Sequence, residues 1–271
     1  MDTNSAADRF DALQSAERLW AELTDAFPAK EILRVKGLLD VWSGQREPVF
    51  QPRQSMVRRL FLPDLPTAPW LDAEDLSFKS LMESLYPALR EKLTRATHDD
   101  RIPLRPYGVS PDAPEDVEVN PHIPKGWKQL LFYNGYQFTP IEKNVALFPE
   151  VSQLIDFVLG HDQLIQEFGL LVLEPQSRIG PHTDIENYIV TCQMGLRVPD
   201  KCGIRAGGEE RNWKEGECLL FDNSFSHEVW NDDPEASRIV LSLSTLHPNL
   251  TELEKRAMRI VRKRLIDIGY I

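Results

Sequence analysis

Between residues 128 and 245 the sequence breaks into short apolar runs closed by turn residues, a pattern that limits the fold more than any other feature. The runs are 128–134 (KQLLFYN), 168–174 (FGLLVLE), 187–198 (NYIVTCQMGLRV), 202–206 (CGIRA), 217–222 (ECLLFD), 227–230 (HEVW) and 237–245 (SRIVLSLST). Gly, Asn, Asp and Pro separate them, as turns between strands require. Only one helical pattern, over 149–160, interrupts the series. A parallel sheet needs a crossover helix between successive strands, so a sandwich or barrel is expected. The fold class that follows is mainly β with flanking helices.

The flanks carry helical spacing. Phe10, Leu13, Ala16, Leu19, Trp20 and Leu23 recur at one face, then Ile32, Leu33, Leu38, Leu39 and Trp42, with an FPAK turn at 27–30 between them. These predict a helical hairpin over residues 1–57, packed on the main body or self-associating through Trp20 and Trp42 into a homo-oligomer. Residues 58–271 are expected to hold the β domain. A proline-punctuated connector at 62–78 leads to a helix over about 78–95, and Thr251 with Glu254 forms a capping-box signature for a C-terminal helix. From 99 to 125 the chain is polar and proline-rich, the composition of a lid or binding loop.

Composition excludes some roles. With 31 basic and 42 acidic residues the formal charge is −11, which opposes binding to phosphate backbones; no nucleic-acid partner is expected. Three cysteines, Cys192, Cys202 and Cys218, lack close Cys-x-x-Cys spacing and argue for a reducing compartment. The N-terminus has no apolar signal core, and no run reaches the roughly 18 apolar residues of a membrane span. A soluble, cytoplasmic protein without a membrane partner is expected.

Chemistry concentrates in "GPHTDIENYIV", residues 180–190. Residues i and i+2 of an extended chain point the same way, so His182 and Asp184 can converge on one metal ion. By itself such a tripeptide more often marks a solvated turn or one local hydrogen bond. Of the six histidines, only His227, in "FDNSFSHEVWN", shares a turn-to-strand setting with His182. Two imidazoles and one carboxylate on one side of an ion leave the other side open, which suits ferrous iron binding a co-substrate and O2. His227 bonded to Asp222 or Asn223 is the bland alternative. Arg238 opens the last strand, eleven residues after His227, where it can grip a carboxylate two-pronged or stand as an ordinary surface arginine.

The order His182-x-Asp184, His227, Arg238 on antiparallel strands resembles the iron(II)- and 2-oxoglutarate-dependent oxygenases. More narrowly it resembles the aspartyl/asparaginyl beta-hydroxylase family. The similarity spans about residues 60–256, through "GWKQLLFYNGYQF", "EPQSRIGPHTD" and "MGLRVPDKCGIRAGGEERNWKEGECLLFDNSFSHEVWND". The resemblance implies a double-stranded β-helix (a jelly roll, cupin-like). It implies iron held by the catalytic residues His182, Asp184 and His227, and 2-oxoglutarate bound by Arg238 with Gln193 and Thr191. The implied reaction is hydroxylation with succinate as co-product.

Two departures bear on the substrate. Relatives that hydroxylate aspartyl residues carry glycine at the position of Asp184, whereas a full triad stands here and leaves no vacancy for a halide. They also carry basic residues at the positions of Ile189 and Thr191 and a histidine at that of Gln193. Loss of that clamp points to a small-molecule, amino-acid or peptide substrate less acidic than aspartate. Trp127, Arg197 and Arg205 are candidates for contacting it, each also readable as structural. Desaturation or ring closure would use the same residues. A zinc hydrolase with the same triad and a non-catalytic metal-binding module remain the rival classes.

Overall fold

The computed structural model describes residues 6–56, 59–96, 102–110, 112–114, 117–161 and 163–271. Its helices are α1 (Ala6–Ala26), α2 (Leu33–Trp42), α3 (Lys79–Ser84), α4 (Tyr86–Ala96), α5 (Glu142–Val145), α6 (Ser152–Gly160) and α7 (Glu252–Asp267). The first strands are β1 (Trp70–Leu71), β2 (Arg105–Pro106), β3 (Trp127–Asn134) and β4 (Thr139–Pro140). The main series follows: β5 (Ile165–Leu173), β6 (Ser177–His182), β7 (Ile189–Arg197), β8 (Cys202–Ala206), β9 (Glu209–Arg211), β10 (Cys218–Phe221), β11 (His227–Asn231) and β12 (Arg238–Leu246). The expected boundary between residues 57 and 58 lies outside the described residues, as do 99–101, 111, 115 and 116 of the proline-rich segment.

A large sheet runs β1-β10-β7-β12-β5-β3-β2, with β4 paired to β3, and a smaller one runs β6-β11-β8-β9. Every pairing between these strands is antiparallel. From β5 onward the chain crosses between the sheets: β5 large, β6 small, β7 large, β8 and β9 small, β10 large, β11 small, β12 large. That winding makes the fold a double-stranded β-helix.

The period of two in each strand divides the large sheet into two chemically different faces. Cys192, Met194, Leu241 and Leu243 face outward into a cluster with Met82, Leu89 and Leu154 of α3, α4 and α6. The opposite face turns toward the small sheet. Leu171, Leu173 and Val240 pack there on Ile179, Ile204 and Val229, while Thr191, Gln193, Ser242 and Ser244 line a cleft between the sheets. One face is dry and the other carries hydrogen-bonding groups into a concavity.

α1, α2 and α7 share a second cluster with Leu60, Leu62, Tyr188 and Leu246. Trp42 is buried against Tyr270, ring centroids 5.6 Å apart, so this chain covers its indole itself. Arg34 Nε donates to Glu254 at 2.7 Å, and Glu254 also completes the capping box of α7 with Thr251. Among the described residues no helix is long and apolar enough to cross a membrane. Two details differ from expectation. The helix expected over 78–95 divides at Leu85 into α3 and α4, and β6, with Gly180 and Pro181 in its sequence, forms a strand where no apolar run marks one.

Candidate metal centre

β6 and β11 pair so that His182 stands opposite His227, with ring centroids 4.1 Å apart. Both imidazoles use the same local device. Nδ1 of His182 lies 2.8 Å from the carbonyl of Gly180, and Nδ1 of His227 lies 2.9 Å from that of Phe225. A carbonyl only accepts, so Nδ1 carries the proton and Nε2 keeps its lone pair for a ligand. Burial lowers the pKa of His227 and favours the neutral, ligating form.

Asp184 lies two residues past His182 and is fixed from the other segment. Its N–H donates to the carbonyl of Asn223 at 2.9 Å, and the Asn223 amide donates to its Oδ2 at 2.6 Å. One ligand atom from each of His182, Asp184 and His227 falls within 4.8 Å of the other two. Two neutral imidazole nitrogens and one hard carboxylate oxygen, each oriented by an outer hydrogen bond, suit a divalent transition metal.

The loop bearing Asp184 is anchored at two further points. Asn187 accepts from the Leu62 N–H at 2.7 Å and donates to the Leu62 carbonyl at 2.9 Å. Glu186 accepts from Arg262 of α7 at 2.7 Å, with both side chains 1 % exposed. The segment before His227 is held through Asp222, which accepts from the Thr67 hydroxyl at 2.6 Å and the Ser224 N–H at 2.8 Å. Burial pushes the Asp222 carboxyl up to about 6.

The triad opens into a cleft that also takes in Arg238, Thr191, Gln193 and Trp127. Arg238 is 2 % exposed, which excludes a surface role. Its guanidinium lies 4.7 Å from the ring of Trp213, and its Nε and Nη1 are buried without a hydrogen-bond partner. Burial brings its pKa down to about 10. A buried cation in this condition calls for an anion. Around it, Trp213 Nε1 donates to Gln193 at 3.1 Å, Gln193 donates to Ser242 at 3.4 Å, and the Thr191 and Ser244 hydroxyls meet at 2.8 Å.

Arg197 and Arg205 do not line this cleft. On β8, Ile204 faces inward, so Arg205 faces out, where it pairs with Glu210 and Glu228 on the neighbouring strands. Arg197 ends β7 where Arg90 and Glu215 are its charged neighbours. Trp127 does line the cleft, stacked on Tyr107 with centroids 3.5 Å apart and planes at 6°. Sequence reasoning missed Tyr107, Gln166, Glu167, Asn223, Ser242 and Ser244, which line it too. The signal for the serines was present: Arg238, Val240, Ser242 and Ser244 recur at every second position beside Ile239, Leu241 and Leu243.

The family model for aspartyl/asparaginyl beta-hydroxylases matches residues 83–248, well over half the chain and all of the triad and Arg238. The chain belongs to the aspartyl/asparaginyl beta-hydroxylase family. Among curated members, aspartate beta-hydroxylase domain-containing protein 1 of Homo sapiens is 31 % identical over 208 residues, 74 % of this chain and 50 % of that protein. Domain-containing protein 2 of Homo sapiens is 27 % identical, with 74 % of this chain and 53 % of that protein covered. Aspartyl/asparaginyl beta-hydroxylase of Mus musculus is 27 % identical, covering 72 % of this chain and 25 % of that protein. The chain thus spans about half the length of the first two family members and a quarter of the third. Similar solved structures include a Pseudomonas putida prolyl-4-hydroxylase, 17 % identical, TM-score 0.38, covering 68 % of this chain and 95 % of that one. Another is HygX from Streptomyces hygroscopicus with nickel and 2-oxoglutarate bound, 11 % identical, TM-score 0.37, covering 65 % and 87 %.

Proposed function

We propose that this chain is an iron(II)- and 2-oxoglutarate-dependent hydroxylase acting on an unactivated C–H bond of an amino-acid-type substrate, free, carrier-bound or peptidyl. The observation that carries the reading is the pairing, in one cleft, of a three-donor centre with a buried arginine whose Nε and Nη1 have no partner. Activation of water by zinc needs the centre alone and does not by itself account for that arginine. A dicarboxylate with one end at the centre and the other at Arg238 satisfies both.

His182, Asp184 and His227 would hold the metal, with Nδ1 of each histidine and the Asn223 amide fixing their orientation. When bound, iron with 2-oxoglutarate and O2 supplies the oxidising equivalents for inserting a hydroxyl group, with succinate and carbon dioxide as co-products. Arg238 would grip the remote carboxylate, backed by the ring of Trp213. Gln193, neutral and held between Trp213 and Ser242, would offer a hydrogen bond to the same co-substrate, and Thr191 lines the cleft beside it. The stacked Tyr107 and Trp127 rings exclude water from that side.

The test is succinate formation by iron-loaded protein across free amino acids, carrier-bound amino acids and short peptides, followed by mass measurement of the product. Iron-dependent succinate with a 16-dalton gain on one substrate supports the reading. Stoichiometric iron binding with no 2-oxoglutarate affinity overturns it.

A further inference from the structure

The cleft has a second pole that the oxygenase parts leave unused. Arg238 pairs with Leu173 across β12 and β5, while Ser244 pairs with Glu167. The two positions are six residues apart along β5, roughly 20 Å of extended chain. Glu167 therefore lines the cleft far along the strand from the arginine that the co-substrate requires.

The backbone at this pole is built to present two adjacent side chains. Consecutive residues of a regular strand face opposite ways, yet Gln166 and Glu167 both line the cleft. The cause is a bulge: Glu167 pairs with Ser244 and Ile165 with Thr245, so Gln166 is an extra residue on β5. Gly135 fits closely against it, since a Cβ there would sit 2.0 Å from the Gln166 carbonyl oxygen.

Chemically this pole is made of acceptors. The amide oxygen of Gln166 is buried without a partner, and so is Oδ1 of Asn223, a side chain only 6 % exposed that lines the same cleft. Glu167 has one protein bond, from the Tyr107 hydroxyl, and no cationic side chain pairs with it among the described residues. Burial, augmented by the charge of Asp184, pushes its carboxyl up to about 7 against the effect of the Tyr107 bond. A carboxylate in that setting gains most from a cation, and a second carboxylate beside it would be repelled. Tyr107, whose hydroxyl bonds to Glu167, lines the cleft as well.

We propose that Glu167 and Gln166 form the recognition point for a cationic nitrogen, an ammonium or guanidinium, carried by the substrate. This rests on the oxygenase reading above and narrows it: the substrate is an amine-bearing compound, not an aspartyl side chain. Glu167 takes the charge, and the Gln166 amide oxygen takes a second N–H.

The test is calorimetric titration, without oxygen, of protein loaded with iron and 2-oxoglutarate. The probes are the common free amino acids, L-ornithine and agmatine, and each binder's amine-acetylated counterpart. The proposal expects at least one amine to bind and its acetylated form to bind at least tenfold more weakly. Glu167→Gln should lose at least tenfold affinity for that amine, and Gln166→Leu several-fold, with iron and 2-oxoglutarate affinities retained in both as evidence of an intact fold. Equal affinity for acetylated probes, tighter binding of aspartate or glutamate than of every other probe, undiminished binding by Glu167→Gln, or no amine binding at all overturns it. Failure to take up iron and 2-oxoglutarate overturns the oxygenase reading and this one with it, whereas normal uptake with indifference to amines overturns this one alone.

Discussion

Arg262 of α7 meets Glu186 at 2.7 Å in an ion pair with both side chains 1 % exposed, two residues beyond Asp184. The C-terminal helix thereby reaches the loop that supplies the carboxylate of the candidate metal centre. Removing one partner strands the other charge in the interior, which costs about 3 to 5 kcal/mol. Glu186→Ala is expected to lower unfolding stability by that amount in urea and to weaken iron binding, because the Asp184 loop loses an anchor. An unchanged urea midpoint would show that the pair holds nothing in place.

Asp222 links stability to pH. Its carboxyl rises from the ordinary 3.8 to about 6 on folding, because the site is buried. The folded protein thus holds this proton more tightly than the unfolded chain does. The resulting stabilisation is complete below about pH 4 and lost as pH rises through about 6, amounting to about 3 kcal/mol. Asp222→Asn has no such proton, so the stability difference between wild type and variant should fall across pH 4 to 6. A difference that stays flat contradicts the shift.

Trp213 should matter to co-substrate binding without touching the metal ligands. Its ring backs the guanidinium of Arg238 at 4.7 Å and its indole N–H donates to Gln193. A desolvated cation–π contact is worth about 2 kcal/mol. Trp213→Leu is expected to weaken 2-oxoglutarate by at least tenfold in calorimetry while iron affinity stays put. Equal loss of both would mean that the residue supports the fold generally.

Arg205 gives the opposite prediction. It lies on the outer face of the small sheet, paired with Glu210 and Glu228, and exposed pairs contribute only ~0 to 1 kcal/mol. Arg205→Ala should leave iron binding, 2-oxoglutarate binding and succinate formation at wild-type levels. A large rise in substrate KM would return this residue to the site.

Much of the fold was legible in the sequence because its determinants are local. The period of two in "RIVLSLST" and the capping box at Thr251 act within a few residues, and both elements form as their patterns require. β6 was not legible: residues 177–182 have no apolar alternation, and their extended form comes from pairing with β11. The triad could be read from residue type and order, while its closeness depends on a strand pairing 45 residues away. Glu167 and Gln166 escaped notice because a bulge, fixed by pairing with β12, turns them together. The sequence left Arg205 open between a substrate contact and a structural role for a similar reason, since which face of β8 turns inward is decided by the other sheet.

The central claim is that His182, Asp184 and His227 hold one metal ion beside Arg238. An anaerobic iron(II) titration of the wild type and of His182→Ala, Asp184→Ala and His227→Ala, with 2-oxoglutarate present, tests it most directly. The account predicts one ion per chain in the wild type, and loss of stoichiometric binding in both histidine variants with marked weakening in the aspartate variant. Stoichiometric iron in His182→Ala or His227→Ala at wild-type affinity would contradict it.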